Sequence, residues 1–425
     1  MKPSYYNYVV EDGDRAVFFN GITELLFDVP LKNRSKYESI LAAPDDYIGV
    51  FDSFLKKMKS NGFIIEEETD EWERLEYKYR RLRNESSYHL MLLPTYQCNL
   101  RCWYCIQNHQ DLIMSEETIS EIKRLIENTI NDPTIKTLRL SWFGGEPLLC
   151  YDTVLSLTSY SKELCERHKK VFLCDITTNG ILLNRQKIET LRNAGVAFYQ
   201  ITIDGTKEIH DRIKFLGEES AYERSIENIN IIAETTRCTL RFNYTKETLD
   251  PDGILKDLDS RIPKKVRDNI KFLIYKVWQE DTMSIDYDEV VRLASLSAKA
   301  GIRSELPTTG LCYADSRHFT CIFPNGRVEK CDNESPEAAR GHLSEDGITW
   351  EGDTSFHVTA FLDSRFPCRN CRHLPLCWGP CVAKRERMIR DYGIGRCQYE
   401  DKEAEMREIL LNMYRNASNC LPVKL

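Results

Sequence analysis

Between residue 88 and about residue 305 the chain alternates between two textures. Apolar, β-rich runs occur at YHLMLLPT, TLRLSWFG, VFLCDITTNG, FYQITIDG, TLRFNYT and IKFLIYKVW, and each is followed by a segment that can be helical. Strands separated by helix-length connections pair in parallel, because a crossover of that size returns the chain to the same end of the sheet. Six such units predict an α/β fold, a parallel sheet or partial barrel. The clearest helix follows the first run. Ser115 can cap it, and Ile119, Ile122, Leu125, Ile126 and Ile130 mark the stripe it buries.

In a partial (β/α)6 barrel of the TIM type, chemistry gathers where strands end and loops begin. Here those positions are occupied by unusual residues. The first run leads into PTYQCNLRCWYC, which carries Cys98, Cys102 and Cys105; the second ends in GGEP, the third in TTNG and the fourth in DG.

The flanking regions read differently. Residues 1–87 form a small separate unit in which Tyr47, Val50, Phe51, Phe54, Leu55 and Met58 recur at helical spacing. Asn61 and Gly62 stop that helix before a strand at Phe63 to Ile65. Two strand-like runs, Tyr5 to Val10 and Ala16 to Asn20, precede it, which gives a winged-helix type of order. The charged connector DEWERLEYKYRRLRNESS reads as a solvated helix face. From residue 306 to residue 425 periodicity fades and cysteines accumulate. So little apolar patterning predicts that metal sites hold this segment together.

Composition limits what such a chain does. The formal charge is −8 with no long basic block, so the electrostatic footprint of a nucleic-acid binder is missing. The start lacks an apolar signal core and no segment approaches a membrane span, so the expected setting is cytoplasmic, with no membrane partner. The 16 cysteines matter in that setting, because a reducing cytoplasm disfavours disulfides and favours metal or redox ligation. Cys150, Cys165, Cys174, Cys238 and Cys420 are scattered and read as small buried apolar residues. The others cluster.

A closed zinc site needs four protein ligands, and His109 could complete one with Cys98, Cys102 and Cys105. An iron–sulfur cubane also prefers four thiolates, and three leave one iron open to an outside ligand. The spacing C-x3-C-x2-C, with Tyr104 before the last cysteine, resembles the signature of the radical S-adenosylmethionine enzymes. In that family the open iron chelates the amino and carboxylate groups of S-adenosylmethionine. The resemblance extends to Gly144, Gly145, Glu146 and Pro147, which match the element facing the cofactor's ammonium. It also covers Thr178, Asn179 and Asp204 at strand ends that contact the ribose and methionine portions. Arg212 resembles the basic residue that pairs with the methionine carboxylate, for which a guanidinium is well shaped. Asn243, in the fifth run, is a further candidate. The activity implied is one-electron cleavage of S-adenosylmethionine by a reduced 4Fe-4S cluster, giving a 5′-deoxyadenosyl radical that takes a hydrogen atom from substrate.

The C-terminal cysteines resemble a SPASM domain, an extension that houses two auxiliary clusters. Cys312, Gly326 and Cys331 are followed by Cys368, Cys371, Cys377 and Cys381 at C-x2-C-x5-C-x3-C, then Cys397, with Cys321 as an eighth thiol. The resemblance implies one site from Cys312, Cys321, Cys331 and Cys381, and a second from Cys368, Cys371, Cys377 and Cys397. Zinc ribbons also use C-x2-C pairs. With the cluster at Cys98, Cys102 and Cys105, the total implied is three 4Fe-4S clusters. Asp332 sits where related anaerobic sulfatase-maturating enzymes carry a base toward the substrate.

Enzymes of this type act mostly on ribosomally synthesised precursor peptides, installing thioether or carbon–carbon crosslinks, and draw electrons from a flavodoxin or ferredoxin. The segment 1–87 resembles domains that grip a leader, often by taking it as an added strand. The implied division is 1–87 for leader recognition, 88–305 for the radical barrel and 306–425 for the auxiliary clusters. Two other readings remain: formylglycine formation on a sulfatase, and a non-catalytic iron–sulfur carrier or adaptor.

Overall fold

The structure, a computed structural model, describes residues 1–83, 86–107, 109–277, 279, 287–305, 310–333, 335–351, 362–399, 401–415 and 421. Of the residues singled out above, Cys420, Trp278, Asn84 and Glu85 lie outside the described residues. The chain divides into two compact units, one of residues 1–84, 308–317 and 355–425, the other of residues 85–307 and 318–354.

The first unit opens with β1 (Lys2–Pro3) and an antiparallel meander of β2 (Asn7–Asp12), β3 (Arg15–Asn20) and β4 (Leu25–Pro30). Next come α1 (Arg34–Ala42), α2 (Asp52–Ser60), β5 (Ile64–Ile65), which pairs with β1, and α3 (Glu71–Arg83). Side chains alternate across a strand, and here both faces are buried. Ala16, Phe18, Phe27 and Val29 pack against Ile40, Phe54 and Met58, whereas Tyr8, Val10, Val17, Phe19 and Leu26 point the other way. The expected helix stop is present: Gly62 has φ +81°, which an L side chain resists, and the chain turns there into β5. Two features differ from the sequence reading. A third meander strand, β4, follows the two expected ones. The charged connector forms α3, which is not wholly solvated, because Leu75 and Tyr79 bury with Tyr6, Phe366 and Trp378.

The second unit holds the parallel sheet. Seven strands, β6 (Ser87–Leu92), β7 (Thr137–Trp142), β8 (Val171–Thr178), β9 (Phe198–Ile203), β10 (Arg237–Tyr244), β11 (Ile270–Lys276) and β12 (Arg303–Glu305), lie side by side in chain order. Between them run α4 (Glu116–Asn131), α5 (Tyr151–Arg167), α6 (Arg185–Ala194), α7 (Lys207–Ile213), α8 (Ala221–Ala233), α9 (Pro251–Arg261) and α10 (Tyr287–Lys299). The first six strands overlap the six apolar runs, with β6 and β10 starting at Ser87 and Arg237, just before theirs. Ser115 caps α4 as expected, accepting the Thr118 N–H at 3.1 Å. Beyond β6 the sheet continues through β13 (Phe319–Ile322), parallel to it, and then β14 (Arg327–Glu329), β15 (Gly341–Ser344) and β16 (Gly347–Trp350), all antiparallel. The sheet is thus open among the described residues, with β12 and β16 at its edges.

One face of this sheet carries the helices. Leu90, Leu92, Leu140, Trp142, Ile176, Ile201, Ile203, Leu240, Phe242 and Phe272 belong to its core. Their neighbours in sequence, including His89, Arg139, Ser141, Asp175, Gln200, Arg241 and Asn243, therefore face the other side, and that side is polar.

The first unit ends with α11 (Leu374–Cys377), α12 (Val382–Tyr392) and α13 (Lys402–Arg415). Met406, Ile409, Leu410 and Leu411 of α13 cover Tyr8, Val10, Val17, Phe19 and Leu26 of the meander. Cys165, Cys174 and Cys238 are buried, as read from their isolation, and Cys150 is half-buried. No described helix is long and apolar enough to cross a membrane.

Candidate active site

The loop after β6 carries the three cysteines, and two glycines let the next strand end brace it. Gly145 N–H donates to Thr95 O at 3.0 Å and Glu146 N–H to Gln97 O at 2.8 Å. A Cβ on Gly145 would stand 2.1 Å from Gln97 O, and one on Gly144, whose φ is +111°, would stand 2.5 Å from Thr95 O. No side chain fits between these backbones.

Cys98, Cys102 and Cys105 are half-buried and in no disulfide. Burial pushes all three thiols up, Cys98 to about 11, and Cys102 and Cys105 add to the rise at Cys98. Two influences work the other way. Leu100 N–H donates to Cys98 Sγ at 3.4 Å, and the Lys214 charge favours the thiolates of Cys102 and Cys105. Backbone donors and a nearby cation are what clustered thiolates require, so the three sulfurs fit the ligation of an iron–sulfur cluster. Among the described residues, no three His, Cys, Asp or Glu side chains converge on the geometry of a single ion.

Glu146 is wholly buried and ties the strand ends together. Its carboxylate accepts from Leu148 N–H at 3.0 Å, Thr178 Oγ1 at 2.8 Å and Asn179 N–H at 2.9 Å. Three of roughly four acceptor positions are thereby used within the chain. Pro147 begins the short 3-10 turn that Glu146 caps. Asn179 Nδ2 reaches back to Asn99 Oδ1 at 2.8 Å, joining the third strand end to the cysteine loop.

The fourth strand end holds a buried charge network. Asp204 Oδ1 accepts from the Tyr104 hydroxyl at 2.5 Å, Oδ2 accepts from Lys214 Nζ, and Lys214 also donates to the Tyr104 oxygen at 3.0 Å. Burial disfavours the ammonium, but Asp204, Tyr104 and Cys102 outweigh it and raise the Lys214 pKa. Asp204 N–H donates to His210 Nδ1 at 3.2 Å, and burial lowers that imidazole to about 3, so it is neutral. Sequence reading singled out Arg212, but Arg212 is exposed at the end of α7. The buried cation is Lys214. His210 and Lys214, four residues apart, share the face turned to Asp204.

On the helix-free face, Asn243 accepts from Arg241 Nε at 2.9 Å, and the Arg241 guanidinium lies 4.1 Å over the Tyr275 ring. Cys321, Cys331 and Asp332 are buried in the same unit, where Asp332 and Cys331 add to the burial that raises Cys321.

In the other unit, burial pushes the Cys368 thiol up to about 12, and Cys377, Cys371 and Cys397 add to the rise. Gln398 Nε2 donates to Cys377 Sγ at 3.1 Å. Cys381 adds to the burial that raises the Cys312 thiol. Each precedes a helical turn, and a buried pair, Arg385 and Asp315 at 2.6 Å, links the two turns.

Comparison with known proteins adds a family. Residues 92–258 match the Radical SAM superfamily. A 176-residue stretch, 40% of the chain, is 28% identical to Fe-coproporphyrin III synthase of Methanosarcina barkeri and spans 41% of that protein's length. The fold resembles that of anSMEcpe with bound AdoMet, with a TM-score of 0.55 and 17% identity over 78% of this chain and 99% of that one. It also resembles Streptococcus suis SuiB bound to S-adenosylmethionine, with a TM-score of 0.52 and 15% identity over 94% of this chain and 100% of SuiB. SuiB bound to precursor peptide SuiA gives a TM-score of 0.50 at 14% identity, over 92% and 97% of the two chains.

Proposed function

We propose that this chain, whose residues 92–258 match the Radical SAM superfamily, is a maturase of a ribosomally synthesised precursor peptide. The observation that carries the reading is the pairing of two features. The cysteine loop is locked against the GGEP backbone beside a buried Asp204–Lys214–Tyr104 network, and in the other unit Cys377, Cys371 and Cys397 act electrostatically on Cys368. The likeness to SuiB bound to precursor peptide SuiA, over 92% of this chain, supports a peptide substrate.

When bound, the three-thiolate 4Fe-4S cluster and S-adenosylmethionine supply a radical that removes hydrogen. The chain's own residues provide the setting. Cys98, Cys102 and Cys105 hold the cluster, and Lys214 keeps positive charge beside two of them. Gly144 and Gly145 let Glu146 and Pro147 brace the loop, and these four would offer groups to the cofactor, which Thr178, Asn179, Asp204 and Asn243 would contact from the strand ends. The eight C-terminal cysteines hold two auxiliary clusters. Asp332 accepts a proton from the substrate, and residues 1–87 recognise the leader. Electrons come from a flavodoxin or ferredoxin in the cytoplasm.

Coexpression with a short reading frame adjacent to the gene, followed by mass measurement, tests this. Loss of two hydrogens from the peptide is the expected result, with 5′-deoxyadenosine formed by the reduced enzyme. A second reading, formylglycine formation, is favoured by the fold likeness to anSMEcpe. An adjacent sulfatase gene, and conversion of its cysteine or serine, would replace the peptide proposal.

A further inference from the structure

The helix-free face of the sheet carries several cations, and most have an evident partner. Arg139 is paired with Asp175 at 2.8 Å, and Lys271 with Glu305. Arg241 differs. It sits on β10, in register with Thr202 on β9 and Leu273 on β11, so it lies one layer below the strand end at Asp204. Its Nε donates to Asn243, and its plane lies over Tyr275, the residue that pairs with Asn243 on the next strand. The terminal nitrogens make no hydrogen bond, and the side chain no ion pair, among the described residues. Burial pulls the guanidinium pKa down, while Tyr275, Tyr104, Asp332 and Asp204 pull it up.

A guanidinium held flat by an aromatic ring and fixed at Nε has lost most of its conformational freedom before any ligand arrives. What remains is a fork of donors that matches a carboxylate. Closing this face over a substrate would strand the charge unless an anion meets it. The cysteine loop has its own cation, because Lys214 donates to the Tyr104 hydroxyl, next to Cys105, at 3.0 Å. We infer that Arg241 anchors a carboxylate of the substrate, so that the modified segment carries an Asp or Glu side chain beside the position attacked.

This rests on the peptide reading, and its test is kept separate from turnover. Reconstituted full-length enzyme is titrated, without reductant, with two synthetic pentapeptides, Ac-Gly-Gly-Glu-Gly-Gly-NH2 and the same sequence with Gln, and binding is followed by ligand-observed NMR. Wild type is expected to bind the Glu peptide about tenfold more tightly, the size of one charge-assisted contact. Arg241→Gln abolishes the preference, Arg241→Lys keeps part of it, and both bind S-adenosylmethionine as wild type does. The wild-type comparison stands even if a variant folds poorly. Absence of a Glu preference in wild type, or its persistence in Arg241→Gln, overturns the inference. So does a loss of S-adenosylmethionine affinity in a folded Arg241→Gln, which would assign Arg241 to the cofactor. Failure of the peptide reading appears elsewhere, as 5′-deoxyadenosine formed while no coexpressed peptide changes mass.

Discussion

Gly145→Ala offers a direct probe of how the cysteine loop is held. The added Cβ would lie 2.1 Å from Gln97 O and 2.6 Å from Tyr96 O, both backbone atoms that no rotamer change can move. Contact at roughly 3.5 Å requires the strands to part by more than 1 Å. The bonds from Gly145 N to Thr95 O and from Glu146 N to Gln97 O, now 3.0 and 2.8 Å, would then pass out of hydrogen-bonding range. Two backbone bonds at about 1 kcal/mol each, plus residual overpacking of about 1–2 kcal/mol, give roughly 3–4 kcal/mol against the docked loop. Release into solvent would let the Cys98 thiol fall from about 11 toward its ordinary 9.0. At pH 8 that is about a hundredfold more thiolate. The assay is iodoacetamide labelling of the metal-free protein, with each cysteine mapped by mass. Cys98 should label far faster in the variant, while buried Cys165, Cys174 and Cys238 stay protected, which separates loop release from unfolding. Gly310→Ala is the control, since a Cβ there meets nothing within 4 Å. Wild-type labelling of Cys98 in Gly145→Ala would refute the reasoning.

Two other outcomes follow from buried charge. Lys214→Met leaves Asp204 buried without its cation and should cost about 3–5 kcal/mol in urea unfolding, most of it recovered when Asp204→Asn is added. A loss below about 1 kcal/mol in the single variant would show that the pair is solvated in solution. His89 and His210 are both lowered by burial to about 3 from 6.5. With the folded values below the unfolded one, protons bind the unfolded chain first, so stability is full above pH 6.5 and falls as pH drops toward 3. At pH 5.5 each histidine should cost about 1.4 kcal/mol relative to pH 8, measured by denaturant titration. His210→Gln should remove its share of that slope.

The parallel sheet was legible because its strands are buried on the helix side and read as apolar runs between helices. β12 was not, since three residues, Arg303–Glu305, carry no pattern of their own. β13 was hidden for a related reason: Phe319, Cys321 and Phe323 are buried, but the cysteine invited a reading as ligand alone. Thr178, Asn179 and Asp204 were named through the family resemblance, and the structure places them at the ends of β8 and β9. Lys214 could not be chosen over Arg212 by chemistry, as a guanidinium is the better carboxylate partner. The deciding signal was spacing, four residues from His210 against two. Arg241 was within reach of sequence reasoning. It alternates with Leu240 and Phe242 in TLRFNYT, so it had to face away from the core on the same side as Asn243.

The least legible property was that the N-terminal meander and the C-terminal helices share one core. The sequence treats residues 1–87 as self-sufficient, and its helices do cover one face of the meander. The other face presents Tyr8, Val10, Val17, Phe19 and Leu26, and α13 with Leu376 buries all five. At about 1.5–3 kcal/mol per large apolar side chain, exposing that face would forfeit roughly 8–15 kcal/mol, comparable to the whole stability of a small domain. A hydrophobic core therefore supports part of the C-terminal segment that metal sites were expected to hold together. The group of Cys368, Cys371, Cys377 and Cys397 is built on a scaffold that the meander completes. Packing in the meander core therefore constrains where Cys377 sits, since Leu376, which packs in that core, directly precedes it.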